Sequence, residues 1–124
     1  MAIIVMVYGQ SGTGKSASLR GFDPAKVAVI NVSGKPLPFR TAMKTLNTDN
    51  YEKIRAAMYK TERKSIVIDD ATYLMVDEFM RTVKVTGFQK YNDLALNYFT
   101  LINQAAALPD DRIVYFLGHS EVDA

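Results

Sequence analysis

The residues best equipped for chemistry form one run, Gly9-Gln10-Ser11-Gly12-Thr13-Gly14-Lys15-Ser16. It satisfies G-x-x-x-x-G-K-[ST] at every fixed position: Gly9, Gly14, Lys15 and Ser16. Glycines at this spacing let a backbone wrap a phosphate with its amide N–H groups turned inward. A helix N-terminus behind the loop adds partial positive charge. In this pattern Lys15 reaches the β- and γ-phosphates and the Ser16 hydroxyl ligates Mg²⁺. Gly9, Gly12, Thr13, Gly14, Lys15, Ser16 and Ala17 are the candidate nucleotide contacts. The competing explanation is a Gly/Ser-rich turn that matches by chance. It loses because an apolar run, Ile3 to Tyr8, leads in as a buried-type strand and a short helix-capable segment, Ser16 to Arg20, leads out.

A second candidate lies about fifty residues downstream, where Ser65-Ile66-Val67-Ile68 ends in Asp69-Asp70. An acid at the tip of an apolar strand would hold Mg²⁺ opposite Ser16, usually through a water. Many buried strands end in aspartate, so the pattern gains force only from the phosphate loop upstream. Asp69 is the expected metal partner, against a turn or helix-cap aspartate. Asp70 either orients the attacking water, one methylene short of the glutamate common in hydrolytic enzymes, or caps the helix from Ala71. The lone histidine, His119, ends the apolar run Arg112 to Leu117 in Gly118-His119-Ser120. At that tip it is the candidate sensor of the γ-phosphate or the attacking water, with Ser120 as substitute; the alternative is a structural histidine.

The elements that must position these residues alternate in type. Val27 to Val32 is short, β-branched and continuous, which predicts a strand covered on both faces. Pro36 and Pro38 exclude regular structure after it. Asp49 with Glu52 three residues later resembles a capping box, opening a helix through about Lys60 with Ile54, Ala57 and Met58 as its stripe. A helix of about twelve residues follows the acid pair, with Tyr73, Val76, Met80 and Val83 at helical spacing and Gly87 as its stop. Another runs from about Asn92 to Ala107, its buried face drawn from Tyr91, Leu94, Ala95, Tyr98, Ile102, Ala105 and Ala106. Four strands alternating with helices predict a parallel α/β sheet with right-handed crossovers. Ligands then sit at the carboxyl ends of the strands, which gathers the loop, the acid pair and the His119 tip on one edge.

With 124 residues, 48% of them apolar, the chain is expected to form one domain spanning 1–124. Without cysteine there is neither a disulfide framework nor a thiolate metal site, and one histidine argues against a zinc centre. The apolar N-terminus is too short for a membrane span and lacks a basic flank, so a cytoplasmic protein is expected. Net charge is +2 but uneven: residues 35–64 carry eight basic side chains against three acidic, and residues 65–124 four against nine. The basic half (Lys35, Arg40, Lys44, Lys53, Arg55, Lys60, Arg63, Lys64) could attract nucleic acid, with Phe39, Tyr51 or Tyr59 as stacking platforms. The plainer reading is a solvated helix face.

These motifs, with the segments VAVINVSGKPLPFR, SIVIDDATYLMVDEFM and YFLGHSE, make the chain resemble phage-encoded RecA-like AAA ATPases of the recombination and single-strand-annealing type. The resemblance covers nearly the whole chain. It implies a three-layer P-loop NTPase core with a mainly parallel sheet, ATP and Mg²⁺ as cofactors, single-stranded DNA as partner and assembly into homo-oligomers. Lys15, Asp70 and His119 become its catalytic candidates, and Ser16 and Asp69 its metal ligands. The family continues past the fourth strand, so the chain looks like an N-terminal fragment with the final strand or strands missing. In RecA-like enzymes the activating acid follows the second strand. Here that tip reads Asn31-Val32-Ser33, with no carboxylate. Slow or DNA-stimulated hydrolysis is therefore expected, with an activating group lent by another subunit as one route. Two other classes use the same loop: a small-molecule kinase, which would need an arginine-bearing lid, and a non-catalytic module that assembles on binding ATP.

Overall fold

The computed structural model describes residues 1–9, 22–33, 44–84 and 87–119. In chain order the elements are β1 (Ile3–Gly9), β2 (Val27–Asn31), β3 (Lys44–Asn47), α1 (Tyr51–Lys60), β4 (Ser65–Asp69), α2 (Tyr73–Arg81), α3 (Phe88–Ala106) and β5 (Ile113–His119). The five strands form one sheet in the order β1-β5-β4-β2-β3, and every pairing is parallel. This is an α/β fold, as the alternation of apolar runs predicts. Among the described residues no helix is long and apolar enough to cross a membrane.

Register explains the two cores. Ile4, Val114, Ile66 and Ala28 stand side by side, as do Met6, Phe116, Ile68 and Ile30. Alternation along each strand puts both rows on one face of the sheet. Ile54 and Met58 of α1, Leu74 of α2 and Tyr98, Leu101 and Ala105 of α3 pack onto that face around Phe116. The opposite face gathers Val27, Val29, Val67 and Leu117 against Phe22 and Tyr115, whose rings meet edge-on at 5.2 Å. Because β2 and β4 lie inside the sheet and are covered on both sides, they read as continuous apolar runs. Each fully buried aliphatic side chain contributes roughly 1.5–3 kcal/mol.

Several expectations need correcting. A fifth strand, β3, lies at the sheet edge beside β2. Its sequence, Lys-Thr-Leu-Asn, carries a single aliphatic, because an edge strand needs little apolar surface. The run Ile3 to Tyr8 is also an edge strand, paired with β5 alone among the described strands, so Ile3 is 56% exposed and Met6, Val7 and Tyr8 are exposed too. The helix α1 starts at Tyr51, and its cap is Asn50, whose side chain accepts from the Lys53 amide at 3.1 Å. Such a cap is worth about 1 kcal/mol. In α2 the buried residue is Leu74, with Tyr73 partly buried against the same core, while Met80 (61% exposed) and Val83, beyond the end of the helix, are exposed; helical spacing alone placed only part of the stripe. Gly87 (φ 105°) opens α3 four residues before the expected start. That helix buries Leu94, Tyr98, Leu101 and Ala105, leaving Tyr91 58% exposed.

Candidate functional site

Because all five strands run the same way, their carboxyl ends form one edge carrying Gly9, His119, Asp69, Asn31 and Asn47 in sheet order. Gly9 is in register with His119, the last residue of β5. Asp69 is in register with Asn31, and Asn31 with Asn47. Gly12, Thr13, Gly14, Lys15, Ser16 and Ala17, and the substitute sensor Ser120, lie outside the described residues. So does the expected helix from Ser16 to Arg20.

Asp69 is 3% exposed, and Asn31 beside it is equally buried. The backbone ties the pair together: Asp69 accepts through its carbonyl from the Val32 amide at 3.1 Å. A carboxylate so withdrawn from water needs hydrogen bonds or a cation to stay ionised. An Mg²⁺ ion keeps most of its waters and takes only one or two protein oxygens besides phosphate, so Asp69 suits that role without a ready-made cage. Among the described residues no group of three acids or histidines stands close enough to hold a metal alone.

Asp70 has a left-handed backbone, φ 57°, in the turn that follows β4. Aspartate tolerates this region better than most residues, at a cost on the order of 1–2 kcal/mol. Hydrogen bonds on both sides of Asp70 fix the turn, from the Ala71 amide to the Leu117 carbonyl at 2.7 Å and from the Tyr73 amide to the Asp70 carbonyl at 3.0 Å. The helix that follows begins at Tyr73 with Thr72 as cap, so Asp70 supports it through its carbonyl. Its carboxylate is engaged elsewhere. The Ser33 hydroxyl donates to Asp70 Oδ2 at 2.7 Å and lies 3.3 Å from Asn31 Oδ1. A hydroxyl has one proton, and the shorter contact takes it. Ser33 did not stand out in the sequence, because a serine after a strand carries no motif; only the pairing of β2 with β4 brings it to Asp70.

Behind this edge, Tyr8 lies directly before Gly9. Its hydroxyl is 3.1 Å from that of Tyr98 on α3. Burial first, and then this contact, push the Tyr98 phenol far above its ordinary range. Gly118 leaves room for the Tyr8 ring, since a Cβ there would stand 2.6 Å from Tyr8 Cε1 and 2.9 Å from Thr72 Cγ2.

Among the described candidate nucleic-acid residues, several side chains are engaged within the chain. Arg63 donates from Nη1 to the carbonyls of Pro24 and Val27, at 2.6 and 2.8 Å, and so serves as a brace between loops. Arg55 pairs with Glu52 at 2.7 Å, and Lys64 stands 3.8 Å from Asp111. Lys26, Lys60, Arg63 and Lys64 line an open crevice of about 980 Å³ under the C-terminal end of α1. Tyr59, 52% exposed, spends its hydroxyl on the Gln104 carbonyl at 3.0 Å. Tyr51 is half-buried with its hydroxyl inside, so it is no surface platform. Lys35, Phe39 and Arg40 lie outside the described residues.

No family model matches the chain, and no curated protein does.

Proposed function

We propose that this chain is a P-loop ATPase domain of RecA-like type, binding Mg·ATP at the carboxyl edge of its sheet. The observation that carries the reading is the run GQSGTGKS, whose first glycine ends a strand of a parallel sheet in which a buried acid, Asp69, ends another. β5 separates those two strands, which puts their tips about 10 Å apart at ordinary strand spacing. A triphosphate held by the loop amides and Lys15 would span that gap. The Ser16 hydroxyl and Asp69 would hold Mg²⁺, which when bound neutralises charge on the β- and γ-phosphates.

Hydrolysis joins a water oxygen to the γ-phosphorus and breaks that atom's bond to the β,γ-bridging oxygen, and the water gives up a proton. Asp70, directly after Asp69, is the candidate to orient the water and take the proton, with His119 on the intervening strand as sensor. The partner we propose is single-stranded DNA, with Lys26, Lys60 and Lys64 as phosphate contacts and homo-oligomers as the working assembly. A non-catalytic module that assembles on ATP is the second reading, favoured by the Ser33 hydroxyl on the Asp70 carboxylate.

Calorimetry with Mg·ATP on the wild type and Lys15→Ala tests the site. Saturable binding that the substitution abolishes supports it, and a folded wild type without affinity rejects it. ATP turnover raised by single-stranded DNA supports the recombination reading. DNA binding that ignores added salt would contradict phosphate contacts.

A further inference from the structure

We propose that the crevice under the C-terminal end of α1 docks a partner protein, which enters it as a short acidic peptide segment bearing an apolar residue. The proposal goes beyond the ATPase reading and does not depend on it.

Topology sets the place. Lys26 directly precedes β2, Lys64 directly precedes β4 and Lys60 ends α1, so the crevice opens at the amino ends of these strands. Gly9, Asp69 and Asn31 end the same sheet at its carboxyl edge. Strands of five residues separate the two edges by roughly 16 Å. A ligand in the crevice therefore leaves the nucleotide edge open.

The lining divides by chemistry. Leu46 is in register with Ile30, and Ala28 lies two residues earlier on the same face of the sheet, the one that α1 covers. With Ala57 of α1 they give an aliphatic floor; the two alanines are half-buried and Leu46 is 40% exposed. Lys26, Lys60, Arg63 and Lys64 stand around it against one acid, Glu62. Lys26 and Lys60 are exposed and form no ion pair among the described residues, and Lys64 is 3.8 Å from Asp111. Lysine stems extend an apolar surface while their ammonium groups stay in water. A ligand that matches floor and rim together carries negative charges and an apolar side chain on one short chain. The volume, about 980 Å³, lies at the upper end of ordinary ligand sites and is far more than a lone phosphate fills.

Two features favour a peptide over a nucleic-acid strand. None of the described lining residues is aromatic, so a base has no ring to stack on, and stacking is a large part of single-strand affinity. Glu62 repels a phosphate but accepts from a peptide N–H. The rim lysines still reach the phosphates of a strand passing outside, so strand and peptide compete for them.

The test uses the full chain and a fluorescein-labelled peptide, Asp-Asp-Leu-Phe-Asp-Asp, read by fluorescence anisotropy. Saturable binding is expected. Lys26→Glu with Lys60→Glu should weaken it about tenfold or more, since both substitutions reverse a rim charge. Leu46→Ser should weaken it about threefold, by removing apolar floor. All three positions are exposed, so a wild-type denaturation midpoint is expected of each variant. A peptide with serine for Leu and Phe, and one with asparagine for Asp, should each bind about fivefold more weakly or worse. Saturating Mg·ATP should leave the affinity within about twofold, because the two edges are apart. The docking site is overturned by absent binding, by binding indifferent to the double substitution, by equal binding of the serine peptide, or by displacement with Mg·ATP. It falls equally if the double substitution weakens binding of a thymidine oligonucleotide and leaves the peptide untouched, which would make the crevice a nucleic-acid site.

Discussion

The Tyr8 ring fills the space in which a side chain on Gly118 would begin. The two residues are in register on β1 and β5, one position before Gly9 and His119. A bare α-carbon at the tip of β5 thus lets an aromatic ring lie across the sheet and reach Tyr98. Gly118→Ala forces the ring aside and strains its hydroxyl contact. A loss of about 1–3 kcal/mol is expected from overpacking, read as a lower denaturation midpoint. On the proposed ATPase reading Mg·ATP affinity should fall as well, because Tyr8 directly precedes Gly9. Wild-type values for both would show that the ring has room to move.

His119 ends the strand that lies between the loop strand and the acid strand. His119→Ala should leave the Kd for Mg·ATP within about twofold and slow turnover tenfold or more, as loss of a group acting on the reacting phosphate does. Weakened binding with unchanged turnover per bound nucleotide would remove the sensor role.

Two aspartates meet where the segment before α1 approaches α2. Asp49 accepts from Arg81 at 2.8 Å. Burial opposes its ionisation, but the hydrogen bonds from Asp77 and Arg81 prevail and hold its carboxyl below the ordinary 3.8. Asp77 is held above 3.8, first by burial and then by the hydrogen bond and charge of Asp49. An acid raised in the folded state loses its contribution as pH climbs through its folded value. Asp77→Asn keeps a donor and adds no charge, so it should match wild type near pH 3 and be the more stable protein at pH 7. Both carboxylates are largely solvated, so screening limits the gain to roughly 0.2–1 kcal/mol. Thermal melts across that range check it; a gain largest at low pH would reverse the assignment of the shared proton.

The Tyr51 hydroxyl and Glu78 Oε1 are buried with no hydrogen-bond partner among the described residues. Burial first, and then the charge of Glu78, push the Tyr51 phenol well above its ordinary range. Tyr51→Phe removes a desolvated polar atom and keeps the ring against the core, so it should stabilise by about 1 kcal/mol in urea unfolding. A loss of that size instead would mean that the hydroxyl is satisfied.

Local chemistry is what could be read from the chain alone. The phosphate-loop spacing, the four apolar runs and the acid pair of Asp69 and Asp70 each depend on neighbours within a few residues, and the alternation of runs and helices is enough to predict a parallel α/β sheet. Whether a run is interior or at an edge is not local. Ile3 to Tyr8 is as apolar as Val27 to Val32, yet one flanks the sheet and the other is covered on both sides, because strand order depends on long crossovers. The strand at Lys44 escaped notice for the converse reason, since an edge position demands little of its sequence. Helix faces were legible only in part where the helix was short: nine residues in α2 allow more than one plausible stripe, and contact with the sheet chose Leu74. The bond between Ser33 and Asp70 spans 37 positions and exists only because β2 and β4 pair in one register. Side-chain chemistry is written residue by residue, but which groups meet is decided by backbone pairing.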